Sequence, residues 1–407
     1  MTDSSAPQLS RRLGLVLLSL YGIGTTVGAG IFVLIGEIAG TAGAAAPMAF
    51  LLAGVLVAFA AMSFAEMAGR FPVSAGEAVY VREGLGLVWL ATLVGLLVAL
   101  SGIVSSATIV RGFAGYGQTL GDAPAWLLIS GGVVVLTGLA AIGIRESVAL
   151  ASIVSVLEVG VLLVVLLGGF DDADWHKFDS ALVIPASGIG LIGLFAGAVL
   201  AFYAFIGFED MVNVAEEVRD VERTMPRAIL ITLVVTTLLY VGVALVAVLA
   251  MPVGELARSK APVSDLFTRT TGLDGRVISV IASIAVLNGA LVQIIMVARV
   301  LYGLSRQGWL PALLGRVSGR THTPVIATAI AGALVLVLAL SFPLGTLARI
   351  TSLIVLIVFA LVSLSLFRLK GRGNPATGFR VPRFVPALGF VICAGVVVFE
   401  IARLIVH

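Results

Sequence analysis

Apolar positions gather into eleven long runs, at about 13–39, 44–69, 86–112, 124–143, 147–168, 188–215, 227–250, 276–304, 324–341, 345–367 and 384–404. Each approaches the ~20 residues that carry an α-helix across a hydrocarbon core. The runs are continuous, not alternating, which excludes an outer-membrane β-barrel. The pattern predicts an all-α integral membrane protein of about 11 transmembrane helices, with no soluble domain between them.

Two runs are interrupted. In the first, YGIGTTVGAGIFVLIG spans Tyr21 to Gly36, and a straight helix over 13–39 would be about 40 Å long against a core of about 30 Å. Gly28, Ala29 and Gly30 carry little side chain and make an unwound turn cheap at mid-membrane, freeing N–H groups on one side and carbonyls on the other. Close helix packing explains the same glycines, since Gly24 and Gly28 form a GxxxG pair. In the sixth run, AFYAFIGFEDMVNVAEEV from Ala201 to Val218 puts Glu209 and Asp210 midway along an apolar segment. An ionised acid there costs about 2.5–3.5 kcal/mol on insertion scales, so it must be neutral, paired, wet or capping a helix start. A helix that restarts near Phe208 supplies the cap.

The interrupted runs each open a set of five, 13–168 and 188–367. Because five is odd, the second set enters the membrane upside down, the inverted repeat of secondary transporters with a midplane site between the breaks. The run 384–404 is an additional helix 11.

Composition narrows the class further. Of 407 residues 60% are apolar and only 12% charged, and mean hydropathy is +1.16. The formal net charge of +3 forms no basic stripe of the kind nucleic acid requires. With an N-terminus in the cytoplasm, sixteen Arg and Lys fall in inside gaps and seven in outside ones, which orients the chain in the cytoplasmic membrane. The acidic stretch 171–179 and the residues 251–275 are then external, with APVSDLFTRTTG read as a short interfacial helix. LSRRLGLVLLSL resembles a twin-arginine or signal-type start with TAGAAA as a cleavage site, but Arg11 and Arg12 serve equally as anchors of a first span. Cys393 is the only cysteine and His176, His322 and His407 are scattered, so neither a metal centre nor a cofactor is expected. No HExxH and no GxSxG elbow paired with histidine argues for an enzyme, and no filter sequence argues for a channel.

Four segments in order, GIGTTVGAGIFVLIG, RFPVSAGEAVYVREGLG, AFYAFIGFEDMVNVAEEV with TMPRAI, and ARVLYGLSRQGWLP, resemble the amino acid, polyamine and organocation permease superfamily over nearly the whole chain. The resemblance implies the LeuT-type 5+5 inverted repeat with broken helices 1 and 6, and transport of amino acids or related amines. Many relatives have twelve spans, whereas here the runs end with an eleventh; oligomeric state is left open.

An α-amino acid carries a carboxylate and an ammonium on one carbon, which two broken helices can meet without charged side chains. The N–H groups of Ala29, Gly30 and Ile31 suit the carboxylate, and carbonyls near Ile23, Tyr203 and Ile206 suit the ammonium. By resemblance, Tyr203 stands where an aromatic closes over the substrate, although a core aromatic is the plain alternative. Some relatives for cationic amino acids carry an acid in span three where this chain has Ser101. With Phe205 and Phe208, that serine points to a small or apolar neutral substrate, while a serine in a span also bonds its own helix.

Span five, GIRESVALASIVSVLEVGVLL, resembles relatives in which a lysine replaces a sodium ion bridging spans one and eight, yet the aligned residue is Glu158. A carboxylate cannot supply that positive charge, which leaves it as a sodium ligand, a proton carrier or a neutral core acid. Glu209, beside a helix start, is the other proton-carrier candidate and the favoured one. Ser283 and Asn288 are polar positions in span eight, and Arg299 is expected to pair with an inner acid such as Glu66 or to snorkel. The expectation is therefore a secondary active transporter working by alternating access, taking up neutral amino acids by proton symport. An uncoupled exchanger and a non-transporting amino acid sensor on the same fold are the alternatives.

Overall fold

In a computed structural model the described residues are 13–72, 76–143, 148–172, 176, 188–306, 308–372 and 378–406. Arg11, Arg12 and most of the acidic stretch 171–179 lie outside them. The helices are α1 (Leu15–Ala42), α2 (Ala46–Arg70), α3 (Gly76–Leu85), α4 (Val88–Leu120), α5 (Ala125–Ile142), α6 (Val148–Asp172) and α7 (Gly188–Tyr203). After a 3-10 segment at Phe208–Glu217 follow α8 (Val221–Ala250), α9 (Val253–Arg258), α10 (Pro262–Thr271), α11 (Arg276–Arg306), α12 (Val325–Ser341), α13 (Leu344–Gly371) and α14 (Phe384–Val406). Eight described helical stretches are long and apolar enough to cross a membrane, one of them joining the second half of α1 to α2. Shorter apolar helices, Leu15–Gly28, Val154–Gly169 and Val325–Ser341, complete the set. The eleven apolar runs all become helix, and the chain is an all-α integral membrane protein.

The ends of these helices follow local rules. Pro47 sits in the first turn of α2, where its missing N–H costs nothing. Gly143 ends α5 with φ 84° and its N–H on the carbonyls of Leu139 and Ala140, the left-handed cap that glycine adopts most readily. At α8 the helix starts six residues before the apolar run, at Val221, and carries Pro226 inside it. Hydropathy marks the depth of the lipid, whereas the helix continues through VERTMP into the polar surface.

Both interrupted spans are broken where expected. Gly28 has non-helical angles, φ −43° and ψ −127°, inside α1. In span six α7 stops at Tyr203, residues 204–207 turn, and the chain resumes as a ten-residue 3-10 segment in place of the anticipated α-helix. The turn is fixed by Gly207 at φ 130°, and a Cβ there would lie 2.2 Å from the Thr25 carbonyl oxygen. Only glycine fits both the angle and the space. The far end of the segment is tied back to the start of α1: Leu13 N–H donates to Glu217 O at 3.0 Å and Arg219 N–H to Leu13 O at 2.9 Å.

α1 packs against α6, α7 and α8, while α4 packs against α11 and α13. The site forms between these two groups. The loop helix α10, expected at the interface, buries Pro262, Val263, Leu266 and Phe267 against the C-terminal ends of α6 and α1.

Candidate functional site: the paired helix breaks

The breaks meet backbone to backbone. A Cβ on Gly30 would lie 2.3 Å from Ala204 Cα, so the segment after the α1 break rests on the first residue after α7. Thr25 Oγ1 donates across the contact to Gly207 O at 3.0 Å and lies 3.1 Å from Gly22 O in its own helix. From α8, the Tyr240 hydroxyl reaches Thr26 O at 2.7 Å and Ala204 O at 2.8 Å. A carbonyl from each broken helix is therefore served by one side chain, which the sequence reading did not single out. The only local signal was a tyrosine hydroxyl inside the apolar run at 227–250, which also carries Thr232, Thr236 and Thr237.

A cavity of about 60 Å³ opens between the breaks, with Gly28, Gly30, Tyr203, Ile206, Glu158 and Asp210 on its wall. At ~10–15 Å³ per water this is room for several. Tyr203 is 4% exposed and its hydroxyl is 2.9 Å from Ser105 Oγ of α4, a bond from the broken helix to the opposite group. Asn288 and Gln293 of α11 also face the cavity. Ser283 does not line it, and its buried hydroxyl has no partner among the described residues.

A second cavity of about 30 Å³ shares Ser105, Ile206, Asp210 and Gln293 with the first and adds Glu77, Ser101, Glu209, Thr351 and Phe359. Ser101 Oγ donates to Val98 O at 2.8 Å, bonding its own helix while its side lines the cavity. Glu77, on the loop helix α3, is a site residue the sequence reading missed. Burial pushes its carboxyl up to about 7, its own backbone N–H opposes the shift, and the nearby Asp210 charge adds to it.

The remaining sequence candidates lie elsewhere. Phe205 stacks edge-on against Tyr240 with centroids 5.1 Å apart, and Phe208 packs on Phe64 and Phe359 at 5.7 and 5.3 Å. Ile23 and Ile31 are buried and are not on the wall of either cavity, and the side chain of Ala29 lies outside what the structure describes. The Tyr203 carbonyl accepts from Ile206 N–H at 3.1 Å.

The two candidate carriers differ in their surroundings. Glu209 Oε2 accepts from Gly207 N–H at 2.8 Å, a bond that holds the turn before the 3-10 segment. Glu158 is 3% exposed and stands against the α1 break, where a Cβ on Gly28 would lie 3.8 Å from its Oε1. Among the described residues no hydrogen bond or ion pair reaches its carboxyl. Next to it, Ser155 fills the space beside Gly24, where a Cβ would overlap its Oγ at 1.5 Å, so α6 is pressed onto α1 at the break.

The pairing of Arg299 with Glu66 is not what forms. Glu66 holds Arg70 Nη2 at 2.6 Å, Lys370 Nζ at 2.7 Å and Val381 N–H at 2.8 Å, so its carboxylate is used by the C-terminal ends of α2 and α13 and by the segment before α14. Near the start of α13 and the end of α14, Glu400 bonds Arg349 and Arg403 at 2.5 and 2.6 Å.

A sequence model of the amino acid permeases matches residues 13–406. The chain belongs to the amino acid permease family. It is 30% identical to the branched-chain amino acid permease BcaP of Bacillus subtilis (strain 168), over 96% of this chain and 88% of the relative. It is also 30% identical to the methylthioribose transporter of the same organism, over 97% and 88%. With the vacuolar cationic amino acid transporter 4 of Arabidopsis thaliana it shares 31%, over 89% of this chain and 64% of that longer relative. As an amino acid permease it is a multi-pass membrane transporter and not an enzyme.

Proposed function

We propose that this permease is a secondary active transporter that takes up neutral amino acids by proton symport across the cytoplasmic membrane, with its N-terminus inside. In this reading 13–168 and 188–367 are inverted five-helix repeats, and the substrate's α-carbon sits between the breaks. Gly28 and Gly30 present backbone N–H groups to the carboxylate, and Ile206 with Asp210 faces the ammonium.

The observation that carries the proposal is the Glu158 carboxyl beside Gly28, which no hydrogen bond or ion pair reaches among the described residues. A substrate carboxylate at the α1 break would stand next to that acid, and two carboxylates this close do not both stay ionised. Substrate therefore enters when Glu158 holds a proton, which lets the acid donate a hydrogen bond to the substrate. When the site opens inward and the substrate leaves, the proton is released to cytoplasmic water. Glu209, fixed on Gly207 N–H, suits a structural cap better than a carrier.

Selectivity for neutral side chains is supported by Ser101 standing in span three in place of an acid. A second reading, a substrate with a cationic side chain, is favoured by Glu77 and Asp210 on the second cavity. Uptake into proteoliposomes of radiolabelled leucine, alanine and arginine, with and without an inward proton gradient, separates the two. Gradient-driven accumulation of leucine or alanine is the expected result. Accumulation of arginine alone would replace the neutral reading by the cationic one, exchange without accumulation would make the protein an exchanger, and binding without uptake a sensor.

A further inference from the structure

Tyr240 lies near the middle of α8 and is completely buried, its ring held by Phe205 at 5.1 Å and Phe50 at 5.6 Å. Its oxygen is 2.7 Å from Thr26 O and 2.8 Å from Ala204 O. In an uninterrupted helix those carbonyls would accept from the N–H groups four residues on, at Gly30 and Phe208. A buried carbonyl without a donor is costly, so a broken helix must find a substitute for each lost partner. Tyr240 supplies one hydroxyl for both, and a hydroxyl has a single proton to give. It serves them only while they stay close together.

The breaks are already pressed onto each other by Gly30 against Ala204, and by Thr25, whose hydroxyl bonds Gly207 O. Neither contact involves a third helix. Tyr240 adds one, and it does so without lining either cavity.

We propose that Tyr240 is a positioning residue for transport: it fixes the spacing of the two breaks and satisfies their carbonyls, so that the N–H groups they would have bonded stay available to the substrate's carboxylate. The inference rests on the amino acid site described above and assigns the residue that keeps that site in shape. α8 and both breaks then move as one body when the cavity changes sides, and substrate geometry is preserved on either face. Because the hydroxyl acts on the backbone frame and not on the substrate's side chain, its loss affects every substrate in the same proportion.

The test is Tyr240→Phe, which keeps both ring contacts and removes only the hydroxyl. Binding of a panel of neutral amino acids to purified protein, together with KM and maximal rate per folded transporter, is the readout. Expected is a weakening of about tenfold, or about 1.4 kcal/mol, shared by all substrates, with the rank order unchanged and the maximal rate within about twofold. A residue that only stabilised the fold would lower the folded amount and leave KM unchanged, which would overturn the proposal. Should Tyr240→Phe fail to fold, 3-fluorotyrosine at position 240 keeps the shape and donates more strongly. Its affinities must then rise together, and unchanged affinities overturn the proposal. A wild type that binds no amino acid refutes the site itself, whereas unchanged binding in Tyr240→Phe refutes only the role of the hydroxyl.

Discussion

Glu158 of α6 and Gly28 of α1 face each other so closely that a methyl on Gly28 would lie 3.8 Å from Glu158 Oε1. An acid without a partner among the described residues thus stands at the point where the backbone of the first span comes undone. Chain conformation and charge are linked there: the break exposes the positive end of a half-helix, and Glu158 is the protein's own carboxylate at the place a substrate carboxylate would seek.

The glycines of the α1 break should respond differently to the same added methyl. In Gly28→Ala the new atom finds ordinary contact distance to Glu158 Oε1, 3.8 Å, so the protein should fold, with proton-driven accumulation reduced because the methyl fills the space between the break and Glu158 that a substrate carboxylate would enter. In Gly30→Ala it would lie 2.3 Å from Ala204 Cα, a backbone atom that cannot give way. Binding of all substrates should fall together, and Gly30→Val should abolish it. Retained wild-type affinity in folded Gly30→Val, measured by scintillation proximity, would remove the breaks from the site.

Ser101 bears on selectivity. Ser101→Glu adds a carboxylate to the second cavity, beside Glu77 and Asp210, and should improve competition by lysine or arginine relative to alanine by about tenfold, the size of one good charged contact. An unchanged order of competitors would show that the substrate side chain never reaches position 101.

Glu77 should make stability depend on pH. Its folded value of about 7 stands above the ordinary 4.5, so the folded protein binds the extra proton and stability falls as pH rises from about 4.5 to about 7. Above that range the full cost of an ionised buried acid is present. Glu77→Gln should therefore raise the melting temperature at pH 8 and change it little at pH 4.5. Equal shifts at both values would show that the acid ionises freely in the fold.

The Glu66 cluster should be structural. Lys370→Met leaves Glu66 with Arg70 and Val381 N–H but without its partner on α13, at a cost of about 1–3 kcal/mol. Thermal unfolding in detergent should reveal it, while KM of the protein that remains folded should stay as in the wild type. A change in KM without loss of stability would move this cluster into the transport machinery.

Much of this architecture was legible in the chain because lipid imposes a simple rule: a continuous apolar run must be a helix, and an acid or a glycine cluster inside one must be explained. That is why the eleven helices, the break at Gly28 and the interruption before Phe208 could be read directly. Partners across the fold could not. Nothing local says that Glu66 meets Lys370 and Val381 instead of Arg299, since three stretches of chain far apart in sequence must first be packed together. The hydroxyl of Tyr240 looked like one more polar atom in an apolar run until the two carbonyls it serves were brought beside it. Glu209 stood out for its place at a helix start, and its bond to Gly207 N–H gives that place a structural meaning. Glu158 showed no local feature beyond its charge; the resemblance put it near span one, and the packing of α6 on α1 puts it beside the break at Gly28.

Proton-driven uptake in two single variants tests the role of Glu158 most directly. Proteoliposomes containing wild type, Glu158→Gln or Glu209→Gln are given an inward proton gradient and a radiolabelled neutral amino acid, and accumulation is compared with counterflow exchange. A proton moving down 100 mV yields about 2.3 kcal/mol, enough for an accumulation of about fiftyfold. Wild type and Glu209→Gln should accumulate, the latter because glutamine still accepts from Gly207 N–H, whereas Glu158→Gln should exchange without accumulating. Accumulation that survives in Glu158→Gln and disappears in Glu209→Gln would contradict the assignment and give the proton to Glu209.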